Sequence, residues 1–188
     1  TIEIAEAVND SGGKAIVVSS GGQMVHELSR SDTEHILMPV HSKNPITIYK
    51  NVDQLAALIE AKKIDLVHAR SRAPAWSAMY AAKKTGVPFI TTFHGTYSAD
   101  NIFKHWYSSI MTKGCRVIAI SDFIAGHIRQ RYGVPIDTIK VIHRGADTER
   151  FNPKNVSAER VIALATNWRL PDGKSVIMLP GRLTRWKG

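Results

Sequence analysis

Short apolar runs recur along the chain and are separated by amphipathic stretches. Within each run the hydrophobicity is continuous rather than alternating, which is typical of strands that are buried on both faces of a parallel sheet. The pattern therefore predicts strands at residues 15–19, 36–40, 66–69, 89–93, 117–120, 141–143 and 176–179.

The stretches between the runs have helical periodicity. Residues 48–63 give the clearest case, because Val52, Leu55 and Ile59 share one stripe while the charged residues lie off it. Further helices are predicted over residues 74–84, 121–132 and 157–169, and the chain opens in an amphipathic helix. Strand and helix alternation predicts an α/β fold with an open, doubly wound, mainly parallel sheet flanked by helices. Ligands of such sheets bind at the carboxyl ends of the strands.

A domain boundary is predicted near Pro153, where the alternation stops and the residue before the proline is disfavoured for helix. We expect a Rossmann-like domain over residues 1–153, then a linker and the first helix and strand of a second domain over residues 154–188. Since the first domain opens in a helix and the last predicted strand has no helix after it, we also expect the sequence to be truncated at both ends.

Composition excludes some classes of function. No window reaches the roughly 18 to 20 apolar residues of a membrane-spanning helix, and Cys115 is the only cysteine, which favours a reducing cytoplasm. The formal charge of +9 comes from scattered residues without an aromatic platform. That argues against nucleic acid and leaves peripheral contact with an anionic membrane face open. The histidines show no metal-binding spacing, so no metal or cofactor is expected.

Polar residues at the predicted strand ends are the candidates for binding. His94 ends the run 89–93 and precedes Gly95, which lets a ligand approach the backbone closely. A histidine there can donate a hydrogen bond to a bound ligand, or it can merely satisfy a buried carbonyl. At the end of the run 66–69, Arg70 and Arg72 can bind an anionic ligand or be ordinary surface groups, and His68 beside them is a third potential cation.

Three motifs carry a family resemblance. Residues 142–153 (IHRGADTERFNP) resemble the N-G-V-D-x-x-x-F-x-P segment that closes the N-terminal domain of family-4 glycosyltransferases of the GT-B fold. The run that ends at Ser121 resembles the strand before it, and residues 181–188 (GRLTRWKG) resemble the G-R-L-x-x-x-K-G element. Arg144 stands where the family commonly has asparagine.

The resemblance implies a two-domain enzyme that binds a nucleotide-diphosphate sugar on its C-terminal domain and an acceptor on its N-terminal domain, usually retaining and without metal. His94, Arg182 and Lys187 are the catalytic candidates. Arg182 and Lys187, with Gly95, would contact the donor, because two fixed cations can offset the charge on a leaving diphosphate. The acceptor-binding candidates are Arg70, Arg72, Ser121, Arg144 and Asp147.

The expected function is transfer of a hexose to a glycan or glycolipid acceptor in cell-envelope polysaccharide or lipopolysaccharide biosynthesis. The family's other donor-binding elements would lie before Thr1 and after Gly188, so we expect the 188 residues alone to be inactive. Two alternatives remain open at this point: a GT-B-fold sugar-nucleotide epimerase, and a non-enzymatic α/β module that binds a small ligand.

Overall fold

The computed structural model describes residues 1–97, 101–181 and 183–184. It divides the chain into two compact units, Thr1–Arg144 and Gly145–Gly188. The predicted domain boundary at residue 153 stays a prediction. Among the described residues, no helix is long and apolar enough to cross a membrane.

The first unit alternates helices and strands from its beginning. Its strands are β1 (Ile16–Ser19), β2 (Glu34–Leu37), β3 (Val67–Ala69), β4 (Phe89–Phe93), β5 (Arg116–Ala119) and β6 (Ile139–Val141). Its α-helices are α1 (Ile2–Asp10), α2 (Val25–Leu28), α3 (Pro45–Lys62), α4 (Arg72–Thr85), α5 (Ile102–Ser109) and α6 (Asp122–Tyr132). Single 3-10 turns lie at Ser29–Ser31, Ile110–Thr112 and Ile136–Thr138.

Every strand pairing in the described residues is parallel, which confirms the predicted α/β class. The strands form two hydrogen-bonded groups: a two-stranded group with the order β1-β2 and a four-stranded group with the order β3-β4-β5-β6. In the second group Ala69 lies beside Thr91, and Phe93 lies beside Ala119. The carboxyl ends of these strands therefore meet at one edge, where the candidate residues of the first unit lie.

Local sequence accounts for the helix ends. Asn44 caps α3, since its side-chain oxygen accepts from the backbone N–H of Ile46, and Pro45 occupies the first helical turn, where no N–H is needed. Gly86 and Gly133 end α4 and α6 in the left-handed conformation that glycine adopts without steric cost.

The main core fills the space between the four-stranded group and helices α4 and α6. Phe93, Ile110, Met111, Val117 and Ile128 are essentially inaccessible to solvent in this cluster. A second cluster joins α3 and α4 to the loop after β2, through Val40, Leu55, Ile59 and Ala81. The carboxyl ends of β3, β4 and β5 thus border this main core.

Some predicted elements differ from the structure. Two strands begin and end about two residues earlier than predicted: Glu34–Leu37 instead of 36–40, and Ile139–Val141 instead of 141–143. Helix α5 was not predicted at all. The predicted strand at 176–179 is wrong, because a strand requires backbone pairing and these residues pair with no other described segment. Ile177 and Leu179 there are 99% and 90% exposed.

The second unit contains one α-helix in its described part, α7 (Ala158–Asn167), and a 3-10 turn at Pro153–Asn155. Ser157 caps α7 by accepting from the backbone N–H of Arg160. No residue of α7 is buried within the unit as described.

Candidate functional site

A histidine and an arginine from distant parts of the sequence meet at the edge of the four-stranded group where the carboxyl ends of its strands lie. We call this edge the mouth. His94 follows the last residue of β4, and Arg144 lies three residues after the end of β6. One guanidinium nitrogen of Arg144, Nη2, lies 3.0 Å from Nδ1 of His94 and 3.5 Å from the carbonyl oxygen of His94. The structure thus brings together two of the residues that the sequence singled out.

This contact fixes the protonation of His94. An arginine guanidinium has only donors and stays charged, so the imidazole nitrogen that faces it has to accept, which requires a neutral ring with its proton on Nε2. Burial, followed by the charges of Arg70 and Arg144, lowers the pKa of His94 to about 4. At neutral pH the ring therefore offers an Nε2–H donor that the contact with Arg144 does not use.

A second histidine, His68, lies in β3. Its Nε2 is 2.7 Å from the hydroxyl oxygen of Thr92 in β4. Burial, followed by the charges of Arg70 and His94, lowers the pKa of His68 to about 4. His68 is consequently neutral near pH 7, and of the three potential cations predicted over residues 68–72 only the two arginines carry charge.

Arg70 is close enough to Arg144 for the two positive charges to act on each other. Burial and the charge of Arg144 lower the pKa of Arg70, while Glu3 opposes them. Like charges held together at a strand mouth repel, and a bound anion relieves that repulsion. Arg70, Arg144 and the neutral His94 together form a surface suited to a phosphate or carboxylate. We call these three residues the mouth cluster.

Arg72 has a different environment from Arg70. Its Nη1 lies 3.0 Å from the hydroxyl oxygen of Ser108, and its guanidinium carbon lies 4.5 Å from the ring centre of Tyr97 and 5.7 Å from that of Tyr107. Such contacts hold the start of α4 against α5 and the loop before it. Its predicted role in acceptor binding stays a prediction, and the structure adds a structural role.

Ser121 and Gly95 also lie at strand ends. The hydroxyl oxygen of Ser121 accepts from the backbone N–H of Ile124 at 3.3 Å and caps α6. Gly95 has no positive φ, and a Cβ built on it would meet nothing within 4 Å. Neither the backbone nor the neighbouring described atoms require glycine at 95, and the predicted contact of Gly95 with the donor stays a prediction.

The remaining candidates lie outside the described part of the first unit. Asp147 belongs to the second unit, where its carboxylate accepts from the backbone N–H groups of Glu149 and Arg150 at 3.1 and 2.8 Å. Arg182 and Lys187 lie outside the described residues. Their roles stay predictions.

Sequence reasoning missed the pairing of His68 with Thr92. The available signal was a polar residue inside each of two apolar runs, since β3 contains His68 and β4 contains Thr91 and Thr92. The hydroxyl of Thr91 donates a hydrogen bond to the carbonyl oxygen of Met111. Polar groups inside buried strands need such partners, which could have been sought on the neighbouring strand.

The described residues contain no group of three or more His, Cys, Asp or Glu side chains that could hold a metal ion. The expectation that the reaction needs no metal concerns the whole protein and stays a prediction.

Comparison with known protein families gives one match that covers most of the chain. The family described as Glycosyltransferase Family 4 matches residues 1–150. A D-inositol 3-phosphate glycosyltransferase of Nocardiopsis dassonvillei is 28% identical over 140 residues, which are 68% of this chain and 32% of that protein. Spore coat protein SA of Bacillus subtilis is 22% identical over 139 residues, which are 72% of this chain and 36% of that protein. The chain thus spans about a third of the length of these relatives.

Solved structures agree with that match. A glycosyltransferase from Rickettsia africae superimposes with a TM-score of 0.83 at 40% identity, over 98% of this chain and 49% of that chain. HepE from Anabaena, solved in complex with UDP-glucose, gives a TM-score of 0.68 at 17% identity, over 89% of this chain and 44% of that chain. The second likeness, at its low identity, concerns the fold alone.

Proposed function

The chain belongs to glycosyltransferase family 4, and from that premise we propose that the whole protein transfers a hexose from a nucleoside-diphosphate sugar to a glycan or glycolipid acceptor. The observation that carries the proposal is the mouth cluster. It offers a neutral imidazole with a free Nε2–H, fixed by a guanidinium at 3.0 Å, at the edge of a parallel sheet where ligands of such folds bind.

His94 acts as a hydrogen-bond donor in this proposal. Its Nε2–H points to a sugar hydroxyl or to the leaving phosphate, and Arg144 holds the ring in the tautomer that makes this possible. A preorganised donor of this kind stabilises charge that develops in the transition state, because no solvent has to reorganise around it. Arg182 and Lys187 would offset the remaining charge of the diphosphate, so the transfer would proceed without metal and with retention.

The proposed donor is a sugar nucleotide. Its support is the fold shared with HepE, whose structures contain UDP and UDP-glucose. The proposed acceptor carries an anionic group, because Arg70 and Arg144 present two guanidinium groups at one strand mouth. A relative whose name includes D-inositol 3-phosphate is consistent with a phosphorylated acceptor.

We place the reaction in cell-envelope polysaccharide or lipopolysaccharide synthesis. The formal charge of +9 supports peripheral contact with the anionic inner face of the cytoplasmic membrane, because basic proteins are attracted to such surfaces. A glycolipid acceptor would be reached there. We propose a cytoplasmic location for this reason.

The test is a transfer assay with the whole protein. A panel of UDP-, GDP- and ADP-sugars is offered with phosphorylated and unphosphorylated acceptors, with and without EDTA. We expect transfer to a phosphorylated acceptor that survives EDTA. Interconversion of a sugar nucleotide without an acceptor would instead identify an epimerase, and loss of transfer in EDTA would contradict metal-free catalysis.

Substitution then tests the mouth cluster. His94→Ala is expected to lower turnover about 100-fold, the scale of losing one transition-state donor, with an intact fold. His143→Ala is the matched control, because His143 likewise follows a strand (β6) but its exposed ring lies 4.0 Å from the carboxylate of Asp122. Normal turnover in His94→Ala, measured per folded molecule, would remove His94 from the reaction.

A further inference from the structure

Helix α5 carries three large apolar side chains that the described part of the first unit does not cover. Ile102, Phe103 and Trp106 are 77%, 78% and 61% exposed. Their spacing places them on one face of the helix, whereas Ser108, on the opposite side, is buried. We call Ile102, Phe103 and Trp106 the α5 face. Adjacent exposed apolar side chains of this size mark a surface that binds a partner.

The α5 face has a fixed position because aromatic side chains pack beneath it. The ring centre of Trp106 lies 4.6 Å from that of Trp76 in α4, and the ring centre of Trp76 lies 6.2 Å from that of Tyr107. The guanidinium of Arg72 lies 5.7 Å from the ring centre of Tyr107, and Arg72 is two residues from Arg70 of the mouth cluster. Helix α5 is therefore held beside the start of α4, close to the mouth.

The charge around the α5 face has one sign. Asp100 is the only acidic residue between positions 66 and 121. Lys104 belongs to α5 itself and is exposed. Lys43 approaches from the loop before α3, and its Nζ lies 5.9 Å from the ring centre of Tyr107 in α5. Basic residues beside an exposed apolar face complement an anionic surface.

An anionic lipid surface matches both properties of the α5 face. Helices that lie in the membrane interface turn tryptophan, phenylalanine and aliphatic side chains toward the lipid chains, and their basic residues remain among the anionic headgroups. Tryptophan is favoured at this boundary because its ring is apolar while its N–H is polar. The α5 face combines one tryptophan, one phenylalanine and one isoleucine with nearby lysines.

We propose that the α5 face docks the protein onto an anionic lipid surface, with Ile102, Phe103 and Trp106 inserted at the headgroup boundary. The inference rests on the proposed function, because a glycolipid acceptor gives a reason for docking. It goes beyond attraction by the overall charge, since it names the side chains that contact the lipid. Because α5 is held beside the start of α4, docking brings the mouth close to the headgroup of a lipid-linked acceptor.

The first experiment measures binding of the whole protein to vesicles by flotation. Vesicles of equal parts phosphatidylcholine and phosphatidylglycerol should bind it, and vesicles of phosphatidylcholine alone should bind it weakly. Phe103→Ser should lower binding to the anionic vesicles about tenfold, because one aromatic side chain no longer leaves water, with an unchanged Tm. Phe123→Ser is the matched control. Phe123 is 73% exposed but follows Asp122, so its loss should not change binding.

The second experiment tests the charge beside the α5 face. Lys43→Gln should lower binding to the anionic vesicles about fivefold, which corresponds to about 1 kcal/mol for a basic residue near an anionic surface. Lys83→Gln removes the same charge from the last turn of α4, at the end away from Arg72. This control variant should bind almost as well as the wild type.

The third experiment locates the inserted side chain. Lipids with brominated chains quench tryptophan fluorescence at close range, so the bound wild type should be quenched. Trp106→Phe should remove most of this quenching, whereas Trp168→Phe, in the second unit, should retain it. Quenching that disappears with Trp168 instead would place the second unit on the lipid and overturn the proposal.

Other results would also overturn docking by the α5 face. No binding of the whole protein to anionic vesicles is one. Equal losses in Phe103→Ser and Phe123→Ser, or in the two lysine variants, would show attraction by overall charge alone. A Phe103→Ser variant that binds vesicles normally but has a changed oligomeric state would identify the α5 face as a contact between protein copies.

Transfer to a soluble acceptor separates this inference from the proposed function. Phe103→Ser should transfer to soluble acceptors at the wild-type rate, because the α5 face lies outside the mouth cluster. Transfer without binding to anionic vesicles would contradict docking and leave the proposed function intact. Binding through the α5 face without transfer to any acceptor of the panel would contradict the proposed function and leave docking intact.

Discussion

Helices α6 and α7 begin in the same way and end in different environments. Each is capped by a serine whose hydroxyl accepts from the third backbone N–H, at 3.3 Å for Ser121 and 3.4 Å for Ser157. Helix α6, in the first unit, buries Ile124, Ala125 and Ile128, whereas α7, in the second unit, buries no residue. Equal local signals thus produce helices with unequal tertiary support.

The same contrast holds for the polar groups. In the first unit, Arg144 reaches His94 across 50 residues of sequence, and His68 reaches Thr92 across 24. In the second unit, Asp147 and Asn152 bond to backbone groups only two or three residues away. A reaction needs groups that are held in a defined geometry, and among the described residues the contacts between side chains that are distant in sequence lie in the first unit.

The largest expected effect comes from breaking the packing of the first unit directly below the mouth cluster. Phe93 is fully buried, with its ring centre 4.7 Å from that of Tyr97 and 5.7 Å from that of Tyr132. Phe93→Ala should lower the free energy of unfolding by about 3 to 5 kcal/mol, because it leaves a cavity. Denaturant unfolding monitored by circular dichroism measures this.

Leu179 is the matched apolar residue of the second unit, and it is 90% exposed. Leu179→Ala should change the free energy of unfolding by no more than about 0.5 kcal/mol, as expected for a surface substitution. Comparable losses for the two variants would show that residues 176–179 are packed in solution and would break the comparison between the units.

The same packing contrast shows which strands the sequence could predict. The runs that became β1, β3, β4 and β5 were located within a residue or so, because an apolar run between two helices of a doubly wound unit has a neighbouring strand to pair with. The run 176–179 has the same composition and no partner among the described residues. Composition gives the tendency to form a strand, but pairing decides whether one forms.

Helix α5 was missed for a related reason. Ile102, Phe103 and Trp106 are 77%, 78% and 61% exposed, so the apolar residues of this helix do not form the buried stripe by which helices are recognised. Its start is nevertheless encoded locally, since the side chain of Asn101 accepts from the backbone N–H of Lys104.

For the site, the sequence could predict positions but not contacts. His94 and Arg70 were found because they follow predicted strands, and Arg144 because it departs from a family motif. Their mutual approach depends on how β6 lies beside β5, and on the loop that follows β6, which no local pattern encodes. The lowered pKa of His94 follows from burial first and from that approach second, so it too required the structure.

Removing either serine cap should have a smaller effect on stability. The two substitutions sharpen the comparison between α6 and α7. Ser121→Ala should lower the free energy of global unfolding by about 1 kcal/mol, because a cap of a packed helix is lost. Ser157→Ala should leave the unfolding of the first unit unchanged and increase hydrogen exchange within α7 only. Equal global losses would contradict the unequal tertiary support of α6 and α7.

The protonation of His94 tests the central claim most directly, namely that burial and the charges of Arg70 and Arg144 keep this ring neutral, with its proton on Nε2 and directed to a ligand. Nitrogen-15 NMR of the imidazole rings in the 188-residue chain should show His94 neutral, with its proton on Nε2, from pH 8 down to pH 5, because its pKa is about 4. Arg144→Gln should raise that pKa by removing a nearby positive charge. A His94 ring that titrates near 6.5, or that carries its proton on Nδ1 at neutral pH, would contradict the account.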